Sequence, residues 1–60
     1  MNSYQKEKLL NCLAKMYLSD WDADRANLKV FKILNRLKYR GIYIEIIEVQ
    51  SRAYGIKESE

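Results

Sequence analysis

Sixty residues make one small domain and exclude a two-domain enzyme. At 48% apolar and 32% charged, with no proline and two glycines, the chain is too hydrophobic and too poor in breakers for a disordered tail. A formal charge of +3 permits nucleic-acid binding without arguing for it, and one cysteine with no histidine removes internal disulfides and Cys-His chemistry from a single protomer. A core of this size supplies only ~3–5 kcal/mol, so the fold must lean on regular helix packing, self-association or a partner.

From Ser3 to Leu18 the residues Leu9, Leu13 and Met16 share a sector of about 60° on a helical wheel, with Leu10, Cys12 and Tyr17 beside them. Lys8, Asn11 and Lys15 fall opposite, and Asn2 or Ser3 can cap the start, so the spacing predicts a first helix over 3–18. The run Ser19–Asp24, S-D-W-D-A-D, breaks the period and places three aspartates where free backbone amides need acceptors. A second helix is predicted over 22–40, stopped by Gly41 in the left-handed C′ position, with apolar Ile42 next to fold back on the last turn.

Residues 42–49, I-Y-I-E-I-I-E-V, carry two patterns. Their β-branched density and partial alternation favour a strand, whereas Ile42, Ile46, Val49 and Ala53 line up at helical spacing. A lone strand would have no sheet to join, so a third helix is predicted over 43–54, with Gly55 as its stop and 56–60 as a frayed tail. The expected architecture is an all-α three-helix unit, one domain over residues 1–60, completed by homodimerisation. No apolar run approaches the ~20 residues a bilayer span requires and no leader pattern stands at the start, so a cytoplasmic protein without a membrane partner is expected.

Chemical sites are poorly supported. Asp20, Asp22 and Asp24 reproduce the opening of a calcium loop, but Arg25 stands where that loop needs glycine and Phe31 where it needs glutamate, which leaves helix capping as their role. Cys12 reads as a small residue at the edge of the first helix's core, and Glu45, Glu48 and Arg52 as an intrahelical charge cluster. No glycine-rich phosphate loop is present. The expectation is a non-enzymatic chain with no cofactor, no metal and no small-molecule substrate.

The unusual feature lies in the second helix. Arg25, Lys29, Lys32, Arg36 and Arg40 fall within about 80° of one another, and no acid stands between Arg25 and Ile44. Like charges at i, i+4 repel, and ordinary surface helices intersperse glutamate among their lysines. Beside this row, Leu28, Phe31, Asn35 and Tyr39 form a second apolar seam, separate from the inner face of Ala26, Val30, Ile33, Leu34 and Leu37. The third helix repeats the surplus with Tyr43, Ile47 and Tyr54. Apolar surface on two sides of a helix must be covered on both, which points to protein contact.

The junction at Gly41 invites a helix-turn-helix reading, yet its first helix is too long, Leu37 stands where alanine is usual, and Glu45 and Glu48 would repel phosphate. The segment Arg40–Glu48, R-G-I-Y-I-E-I-I-E, loosely resembles the R-G-I-x-x-E-x-I junctions in helical repeats of RecX-like recombinase regulators; it spans nine residues, implies a helical junction and carries no function with it. The sequence is expected to be a small regulatory or adaptor protein that binds and modulates another protein, and itself, through the second and third helices. Tiny inhibitors and regulators, including those of mobile elements, share its size. The alternative is a basic DNA- or RNA-binding protein whose second helix contacts phosphates.

Overall fold

The computed structural model describes residues 2–59. Within them the chain forms three helices, α1 (Ser3–Leu18), α2 (Ala23–Tyr39) and α3 (Ile46–Ser59), and no strand.

Each boundary has a local cause. Asn2 caps α1 through a capping box: its Oδ1 accepts from the Gln5 N–H at 2.9 Å, and Gln5 Oε1 accepts from the Asn2 N–H at 3.4 Å. The Ser19 hydroxyl closes the other end by donating to the Met16 carbonyl at 2.7 Å. In the turn, Asp20 accepts from the Asp22 N–H (3.2 Å), and Asp22 then caps α2 by accepting from the Asp24 N–H (2.9 Å). Asp20 and Asp22 are therefore occupied by backbone amides, as capping requires, whereas Asp24 accepts from none among the described residues and stands in the first turn of α2. At the far end Gly41 adopts φ +81°, its N–H donates to Lys38 and that of Ile42 to Leu37, both at 3.0 Å, which is the Schellman pattern anticipated from the sequence. Arg40 is the cap residue, so α2 ends at Tyr39 and begins at Ala23, one residue inside the expected 22–40 at each end.

The third helix departs further from expectation. Residues 42–45 form neither helix nor strand, and α3 runs Ile46–Ser59 rather than 43–54. The alternation in the sequence was the operative signal: Ile42 and Ile44 turn inward while Tyr43 and Glu45 face water, and Ile44 is buried without any sheet. This non-helical segment is a strut that carries the chain from α2 to α3 and places Ile44 in the core. The Glu48 carboxylate starts α3 by accepting from the Glu45 N–H at 3.0 Å. Gly55 does not stop the helix. It sits inside α3, and the inner stripe of Val49 and Ala53 continues to half-buried Ile56, which keeps residues 56–59 helical rather than frayed; residue 60 lies outside the described residues.

The core is built from Leu10, Leu13 and Ala14 of α1, Ala26, Val30 and Leu34 of α2, Ile44 of the strut, and Val49 and Ala53 of α3. The inner face of α2 matches the expectation. That of α1 is rotated: Leu10 and Ala14 are buried, whereas Leu9 is half-buried, Met16 is 37% exposed and Cys12 is exposed rather than at the core edge. Helix α1 must serve two neighbours, and its most extensive packing is against α3. Asn11, expected on the far side, faces α3 and accepts from Arg52 Nη1 at 3.0 Å. Arg52 Nη2 also meets Glu7 Oε2 at 2.6 Å, and Lys6 Nζ meets Glu48 Oε1 at 3.5 Å. Of the three charges expected to form an intrahelical cluster, Glu48 and Arg52 thus join two helices, while Glu45 lies just before α3 and forms no ion pair among the described residues; the order of these contacts shows that α1 and α3 run in the same direction.

Candidate interaction surface

The Cα envelope measures 30 × 23 × 14 Å, about two packed helices deep, and α2 buries one side, Ala26, Val30 and Leu34, while its other side faces water. On α2 that other side carries the seam and the basic row. Leu28 is more than half exposed, Phe31 is 46% exposed and Tyr39 94%, while all five residues Arg25, Lys29, Lys32, Arg36 and Arg40 are exposed. Lys29 Nζ pairs with Asp20 Oδ2 at 3.0 Å; among the described residues the other four cations form no ion pair. The bond from Lys29, helped by the Asp22 N–H, holds the Asp20 carboxyl below its ordinary value of 3.8.

The fold gathers part of the seam into one place. Phe31, Tyr43 and Ile47 form the lips of a groove of about 450 Å³ between the second half of α2 and the strut. Its floor contains the core residues Leu34 and Ile44 with half-buried Ile42 and Ile46, and Lys38 and Glu45 stand at its rim. Tyr43 belongs to this groove from the strut rather than from a helix. Tyr39 continues the surface through a neighbouring depression shared with Asn35, Lys38 and Tyr43. Tyr54, expected beside Tyr43 and Ile47, lies two turns further along α3, next to Tyr17, Trp21 and Lys57. Between the two regions Gln50 Nε2 donates to Asn27 Oδ1 at 3.1 Å, a polar clasp from α3 to α2.

Two participants escaped the sequence reading. Trp21 is fully exposed (102%) and stands among Asp20, Asp22 and Asp24 in the α1–α2 turn. The available signal was a large aromatic lying off the period of both helices. Lys38, a cation in the last turn of α2 where it complements the helix dipole, also supplies the groove's cationic rim.

Elsewhere the chemistry is structural. The Glu45 N–H, aided by Lys6, holds the Glu48 carboxyl below its ordinary 4.5. Among the described residues no three His, Cys, Asp or Glu side chains converge on a common point, and no helix is long and apolar enough to cross a membrane. No family model, curated protein or solved structure matches this chain.

Proposed function

We propose that this chain is a small non-enzymatic interaction module that binds and modulates another macromolecule through α2, with Tyr43 and Ile47 extending the contact surface, and that self-association completes it. The observation that carries the reading is the double use of α2: its inner face is satisfied by the core, yet its outer side presents an apolar seam beside a row of cations with no acid among them. Exposed apolar residues at this density mark contact surfaces, and a one-signed row sets the encounter rate and register of an oppositely charged partner. A cytoplasmic setting suits the single unpaired thiol of Cys12. No step of the proposal needs a cofactor or a small-molecule substrate.

The favoured partner is an acidic protein surface, because the cations adjoin apolar side chains that a phosphate backbone would leave wet. Arg25, Lys32, Arg36 and Arg40, which form no ion pair among the described residues, support nucleic acid as the second reading. Replacing Lys29, Lys32 and Arg36 together by glutamine tests both. Stability should stay within ~1 kcal/mol or rise, since mutual repulsion is removed and helix formers are kept. Capture of the partner from native extract should be lost. Capture that survives nuclease and depends weakly on salt identifies a protein; capture that nuclease abolishes and salt weakens steeply identifies nucleic acid. Undiminished capture by the triple variant would refute the role of the row.

A further inference from the structure

Two surface features remain without a role inside the monomer: the groove at the C-terminal end of α2 and the water-exposed Trp21 at its N-terminal end. We propose that they fit each other between two copies, so that the groove of one chain receives Trp21 of a second in an antiparallel α2–α2 dimer. The proposal rests on reading the outer seam of α2 as a contact surface, and it names the occupant.

The chemistry of the two ends is complementary. The groove offers an apolar floor (Leu34, Ile44) and aromatic and aliphatic lips (Phe31, Tyr43, Ile47), with Lys38 at the rim. Its 450 Å³ accommodates an indole. The turn offers the only tryptophan, projecting into water, with exposed Asp22 and Asp24 beside it. Asp20 is engaged by Lys29, whereas Asp24 forms no ion pair among the described residues. A chain cannot fill its own groove, because the 17 residues of α2 hold the two ends about 25 Å apart.

The register follows from symmetry. Phe31 is the middle residue of Ala23–Tyr39. A two-fold axis beside it sets Phe31 against its own copy, Leu28 near Asn35, and Asp24 level with Lys38 of the second copy, twice over. Continuing outward, each Trp21 arrives level with the Gly41–Tyr43 rim of the opposite groove. The interface is then isologous and closed, and the two helix dipoles oppose. A parallel pairing fails on the same residues, since it sets Lys38 against Lys38 and leaves both grooves empty. Area argues likewise. A standard interface takes ~800 Å² from each partner, about a sixth of this chain's 4809 Å², and one helical row falls short of that. Two docked indoles, each burying about 150–250 Å², make up much of the difference. The basic row lies about 100° around α2 from the seam and stays open to another macromolecule.

The test combines sedimentation with the fluorescence of the single tryptophan. Across a dilution series the wild-type chain should pass from monomer to dimer, with the indole emission moving to the blue at the same midpoint. Trp21→Ala should raise the dimer dissociation constant at least about tenfold while leaving monomer helix content unchanged. Asp24→Lys and Lys38→Glu should each weaken the dimer by about tenfold, and the double exchange should restore it to within about threefold. Four results would each overturn the proposal: a monomer up to about 100 μM, a dimer whose indole stays in water, a Trp21→Ala variant that dimerises as wild type, or a charge exchange no tighter than its single variants. A monomer whose partner capture still depends on Lys29, Lys32 and Arg36 would overturn the dimer and leave the interaction module standing. A Trp21-dependent dimer whose capture ignores those cations would support the dimer and refute the role of the basic row.

Discussion

Gly55→Ala separates the two accounts of α3 by the sign of its effect. Gly55 lies in the helix with φ outside the left-handed region, and a Cβ placed there would meet nothing within 4 Å. Alanine at that site needs no repacking, and it removes backbone freedom from the unfolded chain. The expected gain is about 0.5–1 kcal/mol, which raises the melting midpoint of a chain this short by about 2–8 °C. Gly41→Ala is the matched control: there too a Cβ meets nothing within 4 Å, but φ is +81°, so strain alone should lower stability by about 1–2 kcal/mol. Thermal and urea unfolding followed by circular dichroism reads both, with concentration held constant so that self-association does not contribute. Had α3 stopped at Tyr54 with Gly55 as its left-handed cap, the two variants would fall together. A destabilised Gly55→Ala chain would therefore refute a helix running to Ser59.

Two further outcomes follow from the surface. Phe31→Asp should abolish self-association or partner binding while largely preserving helix content, because Phe31 is 46% exposed and stands at the lip of the groove; unfolding of the isolated monomer would move it into the core. Asp20 and Glu48 both titrate below their ordinary values of 3.8 and 4.5, so their contribution is complete above those values and is lost as the pH falls through the lowered ones. The melting midpoint should be level from pH 7 to about 5 and decline further down. Asp20→Asn with Glu48→Gln should flatten that acid limb, and an unchanged limb would show that other carboxylates set it.

Much of this fold is legible in the sequence because its stops are chemical. Asn2, Asp22 and Gly41 each solve a defined problem of unpaired backbone groups, and the starts of α1 and α2 and the end of α2 fall within two residues of them. Residues 42–45 are harder, since Ile42 and Ile46 satisfy a helical stripe while Ile42 and Ile44 satisfy an extended one. What decides is tertiary: after the Schellman turn the non-helical segment leads to α3 and buries Ile44 on the way. Gly55 misleads for a related reason, because a glycine can end a helix but the half-burial of Ile56 holds this one together. The exposure of Leu28, Phe31 and Tyr39 could be read from angles on α2 alone. The groove could not, because it needs Ile42, Tyr43 and Ile47 brought from beyond the turn.

The packing of α1 on α3 bears on what counts as the smallest folding unit. Lys6 and Glu48 are 42 positions apart, and Asn11 and Arg52 are 41 apart, so this interface closes a loop embracing most of the chain. The entropy of such a closure rises only slowly with length, but none of it is recovered until the last helix docks on the first. A fragment holding α1 and α2, or α2 and α3, retains the short connection and forfeits the main interface. Cleavage anywhere in the middle of the chain should therefore melt all three helices together, and no two-helix half should survive as a stable remnant.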